Sequence, residues 1–173
     1  LEVEHALLTG EELHGICLDF SKAFDRVPQQ HIFELAANAG MAPPIIKALR
    51  GIHSQMTRRF KFNGMVGAPF KSTNGILQGC PFSIVLLNLL MVVWSNSVTQ
   101  ELPEAGARCY ADDASATVKG SVAQVSKVLT LSHTLSDLTG MKMNVRKTHA
   151  WSCTARGREQ LKKMLAREFP GQD

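Results

Sequence analysis

Three aspartates are the residues in this sequence best suited to metal-dependent chemistry. Asp19 ends the apolar run HGICLDF (14–20), and Asp112 and Asp113 stand at the predicted turn of a hairpin with apolar flanks. Two carboxylates about 4 Å apart repel each other by about 4 kcal/mol at an effective dielectric near 20, so such a turn favours a bound cation. Oxygen ligands of this kind suit Mg²⁺. Taken singly, an Asp-Asp pair is more often a polar turn than a metal site, and a strand-end aspartate such as Asp19 is more often a cap or a turn former than a ligand.

Short alternating elements must position these aspartates. The hydrophobic pattern and the Gly and Pro residues predict, in the first half of the chain, a strand at 14–20, helices after Pro28 and after Pro43-Pro44, and a hairpin from 58–63 through Gly64 to a strand near 68–73. In the second half they predict a buried helix at 81–100, a strand–turn–strand at 107–118, a helix at 121–138, a strand at 148–153 and a basic helix at 156–168. Strands and helices mix without regular βαβ alternation. The order therefore predicts an α+β fold, an antiparallel sheet with helices packed on one face.

Length and composition favour one folded domain with a polyanionic partner. The chain has 173 residues, 45% hydrophobic and 20% charged, which excludes disorder as a description of the whole. Its net charge is +4 and its isoelectric point about 9.0. Four scattered cysteines favour a reducing, intracellular setting. The longest apolar stretch, 82–94, is shorter than the roughly 18 residues that a membrane span needs, so we expect no membrane partner.

Four segments, taken together, resemble the A, B, C and D motifs of reverse transcriptases, and most closely those of the non-LTR (LINE-type) retrotransposon enzymes. They are LDFSKAFD (18–25), GILQGCPFS (75–83), YADD (110–113) and TGMKMNVRKT (139–148), in that order along the chain. The resemblance covers about residues 11–153. Leu77 stands where many relatives have Arg, and Cys80 where many have Asp, while Gln-Gly-x-Pro-x-Ser is intact.

The resemblance implies the palm of an RNA-directed DNA polymerase with part of the fingers, so that residues 1–173 form one fragment of a reverse transcriptase domain. Asp19, Asp112 and Asp113 match the catalytic carboxylates and metal ligands, and the backbone carbonyl of Phe20 matches a further ligand. Two Mg²⁺ ions, or Mn²⁺ in their place, are the implied cofactors. Asp19 and Asp112 are 93 positions apart, so only adjacent strands of one sheet can bring them together.

The same resemblance implies a nucleotide site on the A and B motifs. The backbone around Lys22 and Ala23 would face the triphosphate. Phe24 lies where the family places a steric gate against the ribose 2′-hydroxyl, with an ordinary core aromatic residue as the alternative. Gln78 would lie along the sugar, and Gly79 would let the backbone approach closely because it has no side chain.

Primer and phosphate contacts follow from the C and D motifs and from the basic residues. Tyr110 would pack near the primer end, with simple strand packing as the alternative, and Lys147 would stabilise the departing pyrophosphate. Two basic groups suit the phosphates of an RNA–DNA hybrid, with a solvated helix face as the alternative for the second. The first is Lys47, Arg50, Arg58, Arg59 and Lys61, interleaved with Phe60 and Phe62; the second is Lys142, Arg146, Lys147, Arg156, Arg158, Lys162, Lys163 and Arg167.

The implied partners are an RNA template, a DNA primer, deoxynucleoside triphosphates and the remainder of a parent polyprotein. The implied location is inside the cell, in nucleus or cytoplasm, as a retroelement ribonucleoprotein. Most of the fingers and the thumb are expected to lie outside this chain, so we expect the isolated piece to polymerise poorly. Two alternatives stay open at this stage: a decayed or domesticated RNA-binding relative without catalysis, and an unrelated metal-dependent phosphohydrolase.

Overall fold

The computed structural model describes residues 2–170, so residues 1 and 171–173 of the predicted domain lie outside the described part. The strands are β1 Leu13–Ser21, β2 Lys61–Phe62, β3 Met65–Val66, β4 Gly106–Tyr110, β5 Asp113–Lys119, β6 Lys142–Met143 and β7 His149–Ser152. The helices are α1 Glu2–Thr9, α2 Ala23–Arg26, α3 Gln29–Asn38, α4 Pro43–Gln55, α5 Pro81–Glu101, α6 Ala123–Thr139 and α7 Ala155–Glu168, with a 3₁₀ turn at Val145–Lys147.

Strand β1 is the centre of a five-stranded antiparallel sheet. It pairs with β5 along one edge and with β7 and then β6 along the other, while β4 adds outside β5. Because successive side chains of a strand alternate between faces, Ile16, Leu18 and Phe20 are buried under the helices. Cys17 and Asp19 point to the opposite face, which stays open. The α+β prediction is therefore confirmed.

Two long helices cover the buried face of the sheet. Helix α5 begins at Pro81, whose missing N–H is no loss in a first turn. Helix α6 ends at Gly140 in the left-handed conformation, as the sequence predicts. The Trp94 indole donates a hydrogen bond of 2.8 Å to the Ser132 hydroxyl, which joins the two helices inside the core.

The prediction of a buried helix at 81–100 is correct for one face of the helix and wrong for the other. Seven residues of α5 are buried, but Phe82, Ile84, Val85, Val92 and Val93 are each 40–50% exposed. The length argument against a membrane span was also wrong, because α5 runs for 21 residues. Within residues 2–170 it is the one helix long and apolar enough to cross a membrane, a test that the core helix of a folded domain also meets.

The hairpin after α4 is shorter than predicted. Strand β2 pairs with β3 around Asn63-Gly64, and the predicted second strand near 68–73 is reduced to one bridge between Arg58 and Phe70. Asn63 and Gly64 both have positive φ, and a two-residue turn of that kind places the return strand directly after it. The short elements α1, α2 and β6 are further differences, since none has enough apolar periodicity to be recognised in the sequence.

Close packing of β7 on β1 predicts opposite effects of two glycine-to-alanine substitutions. A Cβ at Gly15 would fall inside the Trp151 indole, whereas at Gly51 in α4 nothing lies within 4 Å of the added atom. Gly15→Ala should therefore lower the free energy of unfolding by about 1–3 kcal/mol. Gly51→Ala, the control, should raise it by about 0.5–1 kcal/mol. Urea denaturation measures both, and equal stability of wild type and Gly15→Ala would contradict the packing described.

Candidate active site

Two carboxylates face each other on the open side of the sheet. Asp19 of β1 is the register partner of Asp113 of β5, so both side chains leave the sheet on the same face. Directly opposed residues have Cβ atoms about 4.5–5.5 Å apart, and like charges in that arrangement destabilise a sheet. Asp112 precedes Asp113 in the β4–β5 turn and is half-buried. The structure thus brings the three predicted aspartates to one end of the sheet.

Lys147 is placed beside these carboxylates by the 3₁₀ turn. Its Nζ lies 3.6 Å from Asp19 Oδ1, with the lysine side chain 67% exposed and the aspartate side chain 19% exposed. The backbone N–H of Asn144 donates a 2.7 Å hydrogen bond to the Asp19 carbonyl, which fixes the segment before Lys147 against β1. The ammonium group offsets part of the repulsion between Asp19 and Asp113, and its exposure leaves it free to contact a phosphate.

A cleft of about 550 Å³ lies over this face. Asp19, Asp113 and Lys147 line it together with Arg108, Tyr110 and His149, whereas Asp112 does not. Tyr110 is 77% exposed, so its ring is not packed in the core and is available to a ligand. Arg108 and His149 were missed by the sequence reasoning. The sequence carried a signal for both, because each is the immediate neighbour of a strand residue on the buried face and therefore faces the open side.

Asn88 is another residue that the sequence reasoning missed, and it holds the aspartate-bearing turn. Its Oδ1 accepts a 3.1 Å hydrogen bond from the backbone N–H of Ala111, which lies between Tyr110 and Asp112. Ala111 has φ of 52°, a left-handed conformation that a residue with a Cβ adopts only when its surroundings require it. Helix α5 therefore supports the turn through one side chain.

The thiol of Cys109 is excluded as an ionised ligand at neutral pH. Burial raises the pKa of Cys109 to about 11. Its Sγ donates a hydrogen bond of 3.6 Å to the Met91 carbonyl on the helix side of the sheet. Because the thiolate is the metal-binding and nucleophilic form, this cysteine contributes packing and no chemistry.

The B-motif segment is docked on the A-motif segment by backbone hydrogen bonds. The N–H of Gly75 donates to the Val27 carbonyl at 2.8 Å, and the N–H of Ile76 donates to the Phe24 carbonyl at 2.7 Å. The Gln29 side chain donates to the Gly75 carbonyl at 2.8 Å. A Cβ at Gly75 would lie 2.8 Å from the Asp25 carbonyl oxygen, so this approach requires glycine.

The predicted nucleotide residues lie around this junction. Lys22 is exposed and left-handed, with φ of 53°, at the start of α2, and Ala23 is buried. Phe24 is half-buried and packs against the core, so part of its ring is accessible. Gln78 and Gly79 are exposed, and the φ of 85° at Gly79 adds a conformational reason for glycine there. None of these five residues lines the cleft over the carboxylates.

The basic groups are partly available for nucleic acid. Phe60 and Phe62 are 74% and 80% exposed, and the Phe60 ring stacks on Phe70 with centroids 4.8 Å apart. In the second group Arg158 donates to the Ser152 carbonyl at 3.1 Å and so supports the turn into α7. Lys163 pairs with Glu159 at 3.6 Å, typical of a solvated helix face.

The carboxylate oxygens of this site fit a Mg²⁺ ion that is also bound by the phosphate oxygens of a substrate. Within residues 2–170 no three His, Cys, Asp or Glu side chains are close enough to hold an ion by themselves. Mg²⁺ commonly uses one or two protein carboxylates and completes its shell with phosphate oxygens and water. Asp19 and Asp113 provide such a pair, with Asp112 beside them. The side chain of Phe20 is buried, so its backbone carbonyl is the group that this residue could offer to a metal ion.

Comparison with known proteins gives consistent findings. A family model described as reverse transcriptase (RNA-dependent DNA polymerase) matches residues 2–171. An uncharacterized 149 kDa protein of transposon TX1 from Xenopus laevis is 32% identical over 81 residues, which are 47% of this chain and 6% of that protein.

Solved structures show the same fold at low identity. Telomerase from Candida tropicalis in complex with a fragment of telomeric RNA has a TM-score of 0.68 and 18% identity, covering 89% of this chain and 28% of that one. The RNA-dependent RNA polymerase of a human picorbirnavirus has a TM-score of 0.52 and 19% identity, covering 80% of this chain and 26% of that one. The sheet with its packed helices is therefore a polymerase palm, and the chain spans less than a third of either protein.

The hydrogen bond between Asn88 of α5 and the β4–β5 turn predicts that the turn becomes less ordered when the Asn88 side chain is removed. Asn88→Ala should make the Ala111 amide exchange with solvent about fivefold faster, since a net hydrogen bond is worth about 1 kcal/mol. Asn88→Asp keeps an acceptor oxygen and should retain protection. Asn96→Ala, an exposed position on the same helix, is the matched control. Hydrogen exchange followed by NMR measures this, and unchanged exchange in Asn88→Ala would disprove the support.

Proposed function

Because the chain belongs to the reverse transcriptase family, whose model spans residues 2–171, we propose that it carries the catalytic palm of an RNA-directed DNA polymerase. The reaction is the template-directed transfer of deoxynucleotides to a primer 3′-hydroxyl, in the replication of a non-LTR retrotransposon. The observation that carries this proposal is the opposition of Asp19 and Asp113 on neighbouring strands, with Asp112 in the adjoining turn. Such a like-charge pair is unfavourable unless it serves a cation.

The carboxylates would hold two Mg²⁺ ions, with Mn²⁺ as a substitute. When bound, such ions lower the pKa of an attacking hydroxyl and neutralise charge on a leaving phosphate group. The chain's own part is to fix Asp19, Asp112 and Asp113 on a rigid sheet, since strands hold a site more firmly than loops do. Lys147, 3.6 Å from Asp19, adds a positive charge where pyrophosphate would depart.

The nucleotide and the primer would approach from the open face. The exposed ring of Tyr110 lies next to the aspartate turn and suits contact with the primer end. Lys22, Ala23, Gln78 and Gly79 lie at the junction of the A and B segments, where the triphosphate and the sugar would bind. The exposed Phe60 and Phe62 side chains, set among basic residues, suit stacking and phosphate contacts with the template.

The partners of this polymerase would be an RNA template, a DNA primer and deoxynucleoside triphosphates. The matched transposon protein is far longer than this chain, so the remainder of a parent polyprotein would supply the fingers and thumb that grip the duplex. The isolated chain would accordingly extend primers weakly. The location would be intracellular, as a ribonucleoprotein of the retroelement.

Removal of one carboxylate tests the proposal. In the full-length protein, Asp112→Asn should reduce primer extension on an RNA template by about 10²-fold or more, because a carboxylate charge that would hold a Mg²⁺ ion is lost. Asp137→Asn removes the same charge from an exposed position of α6 and should extend primers as the wild type does.

Three results would count against the polymerase. Equal extension by Asp112→Asn and wild type would remove Asp112 from the mechanism. Template binding without extension by the wild-type protein would favour an RNA-binding relative. Release of phosphate without template would favour a phosphohydrolase.

Phe24 gives an independent test of substrate selection. If its half-buried ring closes the space beneath the sugar, Phe24→Val should admit ribonucleotides and lower the deoxy-to-ribo ratio of kcat/KM by at least about tenfold. Single-nucleotide incorporation measures the ratio. Phe169→Val, another aromatic residue that packs at the edge of the core, controls for loss of packing. An unchanged ratio in Phe24→Val would make Phe24 an ordinary core residue.

A further inference from the structure

A pocket of about 410 Å³ lies where α3 meets α4, and it is separate from the cleft over the carboxylates. Ligand sites commonly have volumes of about 300–1,000 Å³, so its size suits a binding site. Four apolar side chains and two basic ones line it: Ala37, Met41, Pro43, Ile46, Lys47 and Arg50. Met41 is half-buried, and the flexible side chain of methionine adapts to the shape of a partner. The lining therefore suits apolar groups that enter next to a negative charge.

The charged residues that line this pocket are both positive. Lys47 and Arg50 are exposed, and within residues 2–170 neither forms an ion pair with a carboxylate. The sequence contains no Asp or Glu between Glu34 and Glu101. Pro43 begins the 13-residue helix α4, so the positive end of the helix dipole adds to the charge of the two side chains. Charge complementarity therefore requires an acidic occupant.

Arg50 is held in place by aromatic residues of the core. Its Cζ lies 5.4 Å from the centroid of the Phe33 ring, which is a cation–π contact. The buried Phe33 ring in turn meets the His53 ring edge to face, with centroids 5.4 Å apart. The guanidinium group is thus oriented before a partner arrives, which lowers the entropy cost of binding. Its planar donors match the two oxygens of a carboxylate.

The lining also separates this pocket from the basic residues of the β2–β3 hairpin. The sequence groups Lys47 and Arg50 with that hairpin, where Phe60 and Phe62 are exposed. Unpaired bases bind by stacking on aromatic rings, and among the described residues no aromatic side chain lines the pocket. An aliphatic crevice between two helices is instead the kind of groove that receives the apolar face of an amphipathic helix. A protein partner is therefore favoured over a nucleic acid.

The pocket lies away from the junction of the A and B segments. Gln29, at the start of α3, contacts that junction through the Gly75 carbonyl. Ala37 lies further along the same helix by a distance of about 12 Å, at 1.5 Å per residue. None of the residues that line the pocket also lines the cleft over Asp19 and Asp113. A partner bound between α3 and α4 would therefore leave the open face of the sheet accessible.

We propose that this pocket docks an acidic amphipathic helix of a protein partner. The apolar side chains of that helix would enter between α3 and α4, and its carboxylates would pair with Lys47 and Arg50. Such a contact would tether the chain to its partner without occupying the catalytic face. The inference concerns a separate surface and does not depend on the polymerase activity proposed above.

The experiment measures the dissociation constant of a labelled synthetic peptide by fluorescence anisotropy, using the full-length protein. The peptide is a helix of about 14 residues with Leu at i, i+3, i+4 and i+7 on one face and Glu on the other. Lys47→Glu and Arg50→Gln should each weaken binding by about tenfold or more, because a charged partner of the peptide is lost. Ala37→Gln, at an exposed position, should do the same because a polar amide would occupy the apolar crevice.

Two controls separate docking from general charge attraction. Lys127→Glu, an equal charge reversal at an exposed position of α6, should change the dissociation constant by less than about twofold, because salt screens distant charges. A peptide with Lys in place of every Glu should bind the wild-type protein at least about tenfold more weakly. The inference is overturned if both peptides bind equally, or if the acidic peptide binds Lys47→Glu, Ala37→Gln and wild type with the same affinity.

Primer extension distinguishes this surface from the polymerase site. Ala37→Gln should extend primers and bind template–primer as the wild type does. Asp112→Asn should lose extension and keep its affinity for the acidic peptide, so the two functions can fail independently. If Ala37→Gln instead weakens template–primer binding and leaves peptide binding unchanged, the crevice contacts nucleic acid and the inference is wrong.

Discussion

The antiparallel register between β1 and β5 is the constraint on which the rest of this structure depends. It places Asp19 opposite Asp113 and, on the other face of the same strands, Leu18 beside Ala114 and Ile16 beside Ala116. A slip of one residue would turn every side chain of β1 to the opposite face, burying the carboxylates and exposing the core. The apolar packing that stabilises the domain therefore also holds the charged site in place.

Repulsion between the opposed carboxylates is tolerated because the open face lies in a high-dielectric setting and carries compensating cations. Lys147 contacts Asp19, and Arg108 stands in the same cleft. Helix α5 adds mechanical support through Asn88, which holds the turn before Asp112 in a strained conformation. Strain and like-charge contacts of this kind cluster at functional sites, where the surrounding fold over-determines them. A sheet with this open, charged face is therefore less stable than a sheet covered on both faces would be.

Prediction from the sequence succeeded where one local signal was sufficient. Strand β1 was recognised as a short apolar run, the β4–β5 hairpin as two segments with apolar residues around a tight turn, and helix α6 from inward apolar residues at the spacing of a helix. The exposed face of α5 could not be recognised, since a helix that is apolar on all sides gives no periodic signal of which side is covered. The return strand of the hairpin was misplaced by a few residues, because the turn type sets its position and depends on two backbone angles.

The types and order of the chemical groups were determined by the sequence alone. The A to D motifs single out Asp19, Asp112, Asp113 and Lys147 as candidate site residues and imply the reverse transcriptase family, which the family model then confirmed. Tertiary structure decided which groups meet. It set Asp19 against Asp113 across 94 positions of chain, brought Asn88 to the turn, and placed Lys47 and Arg50 beside one apolar pocket. Contacts of this kind arise from strand register and helix packing, which are properties of the folded chain and leave no local trace in the order of residues.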